Sequence, residues 1–155
     1  FDLGQTVEEI RTALGPTLSR SGHRVMQDIA PDLRLDSYPG PLGQVLTNLI
    51  DNAVKHAFGD RRDGILRIDA QALDGQRVRI LVSDDGCGIP AEHLGRIFDP
   101  FFTTRLGQGG SGLGLHIVHN IVTGMLGGSI EVASTPGGTR FTLTLPLTAP
   151  AEVAE

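Results

Sequence analysis

Val78, Ile80 and Val82 alternate with polar residues and run without a break into Asp84-Asp85-Gly86-Cys87-Gly88-Ile89-Pro90. Period-two alternation describes a strand with one buried face. Ile65, Ile68 and Ala70 precede it across Asp74-Gly75, so the pair reads as a β-hairpin. A second hairpin is expected from Ser129–Ala133 and Thr139–Leu145, around Pro136-Gly137-Gly138. Hairpins make antiparallel pairs, and helical stretches lie between them. The expected fold is therefore an α/β two-layer sandwich, with a mixed, largely antiparallel sheet of about five strands packed on about three helices, rather than a doubly wound parallel sheet.

The remaining elements follow from spacing. Val7, Ile10, Ala13, Leu14 and Leu18 recur at helical intervals behind a Thr6 cap with Glu9 three residues on, predicting a helix over Thr6–Leu18. His23–Ile29 and Leu33–Tyr38 read as short strands separated by Pro31-Asp32. Pro41 opens the longest helical pattern, which reaches Phe58 and is closed by Gly59. Pro90 starts a short helix to Ile97, residues 98–112 lack any period and read as a long mobile loop, and Leu113–Met125 is helical again.

With 155 residues and 39% apolar content the chain supports one core, expected over residues 1–147, with a frayed tail at 148–155. A net charge of -5 and scattered arginines argue against nucleic acid or an anionic membrane surface as partner. The single cysteine, Cys87, excludes an internal disulfide and suits a reducing compartment. No apolar run is long enough for a signal peptide or a membrane span, so a cytoplasmic location is expected for the chain, with membrane anchorage of a longer parent left open.

Three features could carry chemistry. On the helix from Pro41, Leu42, Leu46, Leu49, Ala53 and Ala57 make one side, and Gln44, Asn48, Asp51, Asn52, Lys55 and Gly59 the other. An ordinary amphipathic helix would look similar. Asparagine, however, is a mediocre helix former because its amide competes for backbone bonds. Asn48 and Asn52 lie one turn apart, and Lys55, the only lysine in the chain, follows on the same face. Amide oxygens suit a hard cation such as Mg²⁺, and an ammonium neutralises phosphate oxygens. In the second feature, Gly86 and Gly88 follow Asp84 at a strand end. A plain turn is one reading. The other is a base pocket, in which glycines let backbone approach a planar ring and the carboxylate accepts from an adenine amino group while repelling a guanine oxygen. The third is Gly107-Gln108-Gly109-Gly110-Ser111-Gly112-Leu113-Gly114-Leu115 ahead of a helix, which suits phosphate at a helix N-terminus or else a flexible linker. Neither a P-loop nor a dinucleotide fingerprint occurs, so a different ATP fold is required.

Read in order, these pieces resemble the histidine kinase branch of the ATPase superfamily with the Bergerat fold, which also contains type II topoisomerases, a heat-shock chaperone and mismatch-repair ATPases. Gln44–His56 is similar to the family's N box, Asp84–Pro90 to its G1 box, Ile97–Thr104 to its F box and Gly110–Leu115 to its G2 box. Asp85 stands where Asn is more usual, and the glycine run before Ser111 is slightly long.

The resemblance implies a catalytic and ATP-binding domain of a two-component sensor kinase, which transfers the γ-phosphoryl of Mg·ATP to a histidine on a dimerisation domain. Asn52 would bind Mg²⁺ with Asn48 beside it, while Lys55 and His56 would face the phosphates. Asp84 would read adenine, Gly86, Gly88 and Ile89 would shape its pocket, and Thr139 would support Asp84 through its hydroxyl. Residues 98–112, with Thr104, would form an ATP lid closing Gly110, Ser111, Gly112, Leu113, Gly114 and Leu115 over the triphosphate. Phe98, Phe101 and Phe102 would anchor that lid and dock the helical domain. Implied partners are the dimerisation and phosphoacceptor domain of the same kinase and a downstream response regulator, the isolated domain being monomeric. His23, His93, His116 and His119 lie in no sequence like the phosphoacceptor box and read as structural. Two other readings stay open: an interaction module without activity, and a serine/threonine kinase of the anti-sigma type.

Overall fold

The structure is a computed structural model that describes residues 1–58, 61–102 and 114–151. Its elements in chain order are α1 (Leu3–Ser21), β1 (Arg24–Ile29), α2 (Pro39–His56), β2 (Ile65–Ala72), β3 (Arg77–Asp84), α3 (Gly114–Thr123), β4 (Ser129–Thr135) and β5 (Gly138–Pro146). The five strands form one sheet in the order β1-β2-β3-β5-β4. Only β1 and β2 are parallel, joined by a crossover that contains α2, and the other three pairs are antiparallel. The expected mixed sheet on three helices is the fold observed.

One face of the sheet carries the core. Leu66 and Ile68 of β2, Val78 and Ile80 of β3, and Leu143 and Leu145 of β5 are buried under Leu42, Leu46, Leu49 and Ile50 of α2 and Val118 and Val122 of α3. Each such aliphatic side chain contributes about 1.5–3 kcal/mol by leaving water. The period-two strands and the 3.6-period helix interlock because both turn their apolar residues to this layer. Leu42, Leu46, Leu49, Ala53 and Ala57, read from the sequence as one side of α2, are all buried.

Several boundaries differ from the sequence reading. The first helix starts at Leu3, three residues early, because Asp2 rather than Thr6 caps it: Asp2 Oδ1 accepts the Gln5 N–H at 2.9 Å. The Thr6 hydroxyl instead donates back to Asp2 O at 3.1 Å. The helix α2 begins at Pro39, two residues before Pro41. Leu33–Tyr38 is not a strand, because its backbone divides its bonds between two segments and makes one bridge to each, Arg34 with Asp2 and Asp36 with Thr148. That second bridge, with Ala149 N–H on Asp36 O and the Tyr38 hydroxyl on Pro150 O, ties down the start of the expected tail. Pro90–Ile97 forms successive three-residue turns, not a helix: His93 N–H bonds to Pro90 O, Leu94 N–H to Ala91 O and Arg96 N–H to His93 O. Gly59 lies outside the described residues, as do 103–112 of the expected lid.

Candidate functional site

β3 ends at Asp84 on the side of the sheet where α2 also ends, and the chain between them is pinned to both. Cys87 N–H donates to Ala57 O at 2.8 Å. A Cβ on Gly86 would lie 2.3 Å from that same carbonyl, so only glycine lets the turn settle on the end of α2. Gly88 has φ +80, and a Cβ there would meet Thr135 O at 2.0 Å. Both glycines therefore answer to the protein's own backbone, which fixes the pocket wall whether or not a ring lies against it.

Asp84 Oδ1 accepts the Gly86 N–H at 2.9 Å. Burial pushes its pKa up; the N–H groups of Gly86 and Thr139 pull it back, and the neighbouring charge of Asp85 adds to the rise. Thr139, paired with Asp84 across β3 and β5, thus reaches the carboxylate through its backbone N–H. Its hydroxyl does not, as the resemblance implied, but pairs with Ser134 Oγ at 2.9 Å. Ser134 Oγ also accepts the Ile89 N–H at 2.6 Å, so one hydroxyl on β4 holds the end of the turn. Ser134 carries no local sequence signal, because it meets Ile89 only when the β4–β5 hairpin folds over.

These residues border a cleft partly open to solvent and lined by Asn52 and His56 of α2, Asp84, Gly88, Ile89 and Thr139, over an apolar floor that includes Leu49, Val82 and Phe141. A second cavity continues from Asn52, His56, Gly88 and Ile89 toward Phe102 and Leu115. The structure therefore brings six of the expected residues to one cleft and Leu115 to its extension. Asn48 and Lys55 line neither cavity. Lys55 pairs with Asp51 at 3.0 Å on the outer face of α2, both half-exposed. Gly114 opens α3, and Thr104, Gly110, Ser111, Gly112 and Leu113 lie outside the described residues.

The three phenylalanines part company. Phe98 stacks edge-on to Phe141 and against His119. Phe102 packs on His93 with the Arg96 guanidinium 4.8 Å from its ring centre. Phe101 is 68% exposed, with φ 65, so the expected anchoring role does not extend to it. The histidines outside the cleft have structural work: buried His23 accepts the Gly64 N–H at 2.9 Å, and His116 bridges Phe98 O and Asn120.

Among the described residues no group of three His, Cys, Asp or Glu side chains converges to hold a metal. The Asn52 amide on the cleft wall suits an Mg²⁺ that arrives with phosphate oxygens and keeps some of its water, since that ion needs few protein ligands.

A cleft with a fixed carboxylate at one end and amide and imidazole groups on its wall, set on an α/β sandwich, is an arrangement suited to a nucleotide-binding domain. Residues 38–149 match the family model described as histidine kinase-, DNA gyrase B- and HSP90-like ATPase, and the chain belongs to that family as a histidine kinase ATP-binding domain. The sensor histidine kinase ZraS of Escherichia coli O157:H7 is 46% identical over 121 residues, covering 77% of this chain and 24% of that kinase. The chain thus spans about a quarter of the length of such curated relatives. Among solved structures, the catalytic domain of histidine kinase ThkA superposes with a TM-score of 0.83 at 30% identity, over 96% of each chain. ThkA in complex with response regulator protein TrrA superposes at 0.79 with 28% identity, over 96% of this chain and 41% of that one. No helix among the described residues is long and apolar enough to cross a membrane.

Proposed function

We propose that the cleft holds Mg·ATP and that its γ-phosphoryl passes to a histidine imidazole on a helical dimerisation domain of the same kinase, from which a response regulator takes it. The observation that carries this reading is Asp84: a carboxylate fixed at a strand end inside the cavity, aimed where an adenine 6-amino group can donate to it. Ile89, Gly88 and the apolar floor take the ring. Asn52 and His56 line both cavities, which supports a course for the phosphates along the second one toward Leu115.

Asn52 would hold Mg²⁺ by its amide oxygen, with Asn48 one turn away, and the ion would neutralise charge on the transferred group. Phosphoryl transfer demands mainly positioning and charge neutralisation, so Asn52, Lys55, His56 and the backbone N–H groups of 110–114 are the protein's contribution. Lys55 lies beside Asp51 on the outer face of α2 and would leave that ion pair to reach phosphate. The acceptor histidine belongs to the partner domain, because His23, His93, His116 and His119 are engaged in packing or hydrogen bonds. The complex of ThkA with TrrA supports a response regulator as the downstream partner of a kinase of this kind.

Incubated alone with γ-labelled ATP, the chain is expected to remain unlabelled, and addition of the cognate helical domain in trans should yield acid-labile phosphohistidine on that domain. Stoichiometric labelling of a histidine in the chain itself, or no transfer in the presence of the helical domain, contradicts the proposal.

A further inference from the structure

Next to Asp84, every polar atom of Asp85 is occupied by a partner from far away in the chain. Its N–H donates to Ile65 O at 3.2 Å, and its Oδ1 accepts the Ile65 N–H at 2.9 Å. Arg61 grips the rest as a fork, Nη1 on Asp85 O and Nη2 on Oδ2, both at 2.8 Å. Arg61 is itself oriented, since its Nε donates to Asp63 Oδ1 at 2.8 Å and its guanidinium lies 5.8 Å from the centre of the Phe58 ring. A bidentate arginine with a third fixed donor is a geometric constraint as well as a charge pair.

We propose that Arg61 and Asp85 are positioning residues of the base pocket: their ion pair clamps the Asp84–Gly88 turn to the start of β2 and neutralises the charge adjoining Asp84, so Asp84 stays an ionised acceptor for adenine. The inference rests on the ATP reading above. Two carboxylates on consecutive residues oppose each other's ionisation, and the Asp85 charge does raise the Asp84 pKa behind the larger effect of burial. Asp85 itself is pushed up by partial burial, but the Ile65 N–H and then Arg61 outweigh this and hold it below the usual carboxylate range. The fixed negative charge is thus Asp85, and Arg61 is the cation paired with it. The other titratable group on the base-pocket wall is His56 of α2, His93 lines the second cavity, and His23 stands behind the Arg61 cluster; the pocket residues contributed by β2, β4 and β5 are uncharged.

The test is ATP affinity of the 155-residue chain, measured by calorimetry from about pH 5 to pH 8. Arg61→Ala should move the acid limb of binding upward, which reads as severalfold weaker binding at a fixed pH on that limb. Asp85→Asn should move the limb the opposite way, and the double variant should follow Asp85→Asn. Arg61→Lys keeps the charge without the fork, so its limb should return to the wild-type position while affinity stays lowered at every pH. The Arg61 and Asp85 charges also act on His23, lowering and raising its pKa respectively, so each variant is repeated in a His23→Gln background, where a limb that no longer moves overturns the proposal. Uniform weakening by both single variants with no movement of the limb, or a limb that moves the same way in both, overturns the proposal. Wild-type protein that binds no ATP at any pH overturns the ATP reading itself, an outcome distinct from normal wild-type binding with unmoved variants.

Discussion

The two ends of the cleft are built differently. At the base end, Asp84, Gly86, Gly88 and Ile89 are held by backbone contacts to α2, β4 and β5, and a Cβ on either glycine would collide with a carbonyl. At the phosphate end, Asn52 is half-buried on a helix and Lys55 lies in a surface pair with Asp51. The first arrangement leaves the turn one conformation, whereas the second presents side chains that reorient at little cost. On the proposed reading, the base is selected by a carboxylate held on a rigid turn, and the phosphates are handled by groups that adapt as the triphosphate enters.

The comparison breaks most readily at the rigid end. Gly88→Ala adds a Cβ at φ +80 against Thr135 O, and is expected to cost about 2–4 kcal/mol of stability, with ATP affinity falling more than about tenfold. Chemical denaturation and calorimetry on the same sample check both. At the adaptable end Lys55→Ala should leave stability within about 0.5 kcal/mol of the wild type, because the side chain and its Asp51 partner are half-exposed. It should still weaken ATP about three- to tenfold through loss of one charge-assisted contact, while adenosine affinity stays unchanged. Equal losses for ATP and adenosine would place Lys55 at the base instead.

What was legible in the sequence divides along the same line. The Asp84–Gly88 turn and the two faces of α2 could be read because residue type and spacing are local properties, and the strand period and helix period each name a buried face. Thr139 was recognisable only through resemblance to a family, and the resemblance misassigned which of its atoms serves Asp84. Ser134 and Arg61 were invisible because their partners, Ile89 and Asp85, lie 45 and 24 residues away and no periodicity encodes such a meeting. Leu33–Tyr38 alternates like a strand, yet alternation specifies a buried face and says nothing of a neighbour to pair with; Leu33 and Leu35 are buried without a ladder. In Pro90–Ile97 the proline suited a first helical turn, but the segment closes three-residue turns and never makes the longer-range bonds of a helix.

Asp84 also carries a cost of the kind a binding residue bears. Its folded pKa lies above the ordinary carboxylate value, so its ionised form weakens the fold at pH values above that range. Asp84→Asn should therefore preserve or raise stability near neutral pH while damaging binding, the pattern expected of a site residue and not of a structural one. The central claim is that this carboxylate selects adenine. Calorimetry of Mg·ATP and Mg·GTP with the wild type and Asp84→Asn tests it directly. The account predicts clear preference for ATP in the wild type and about 10- to 100-fold weaker ATP binding in the variant, the worth of one hydrogen bond to a charged group, with the preference over GTP lost. Unchanged ATP affinity in Asp84→Asn would contradict it.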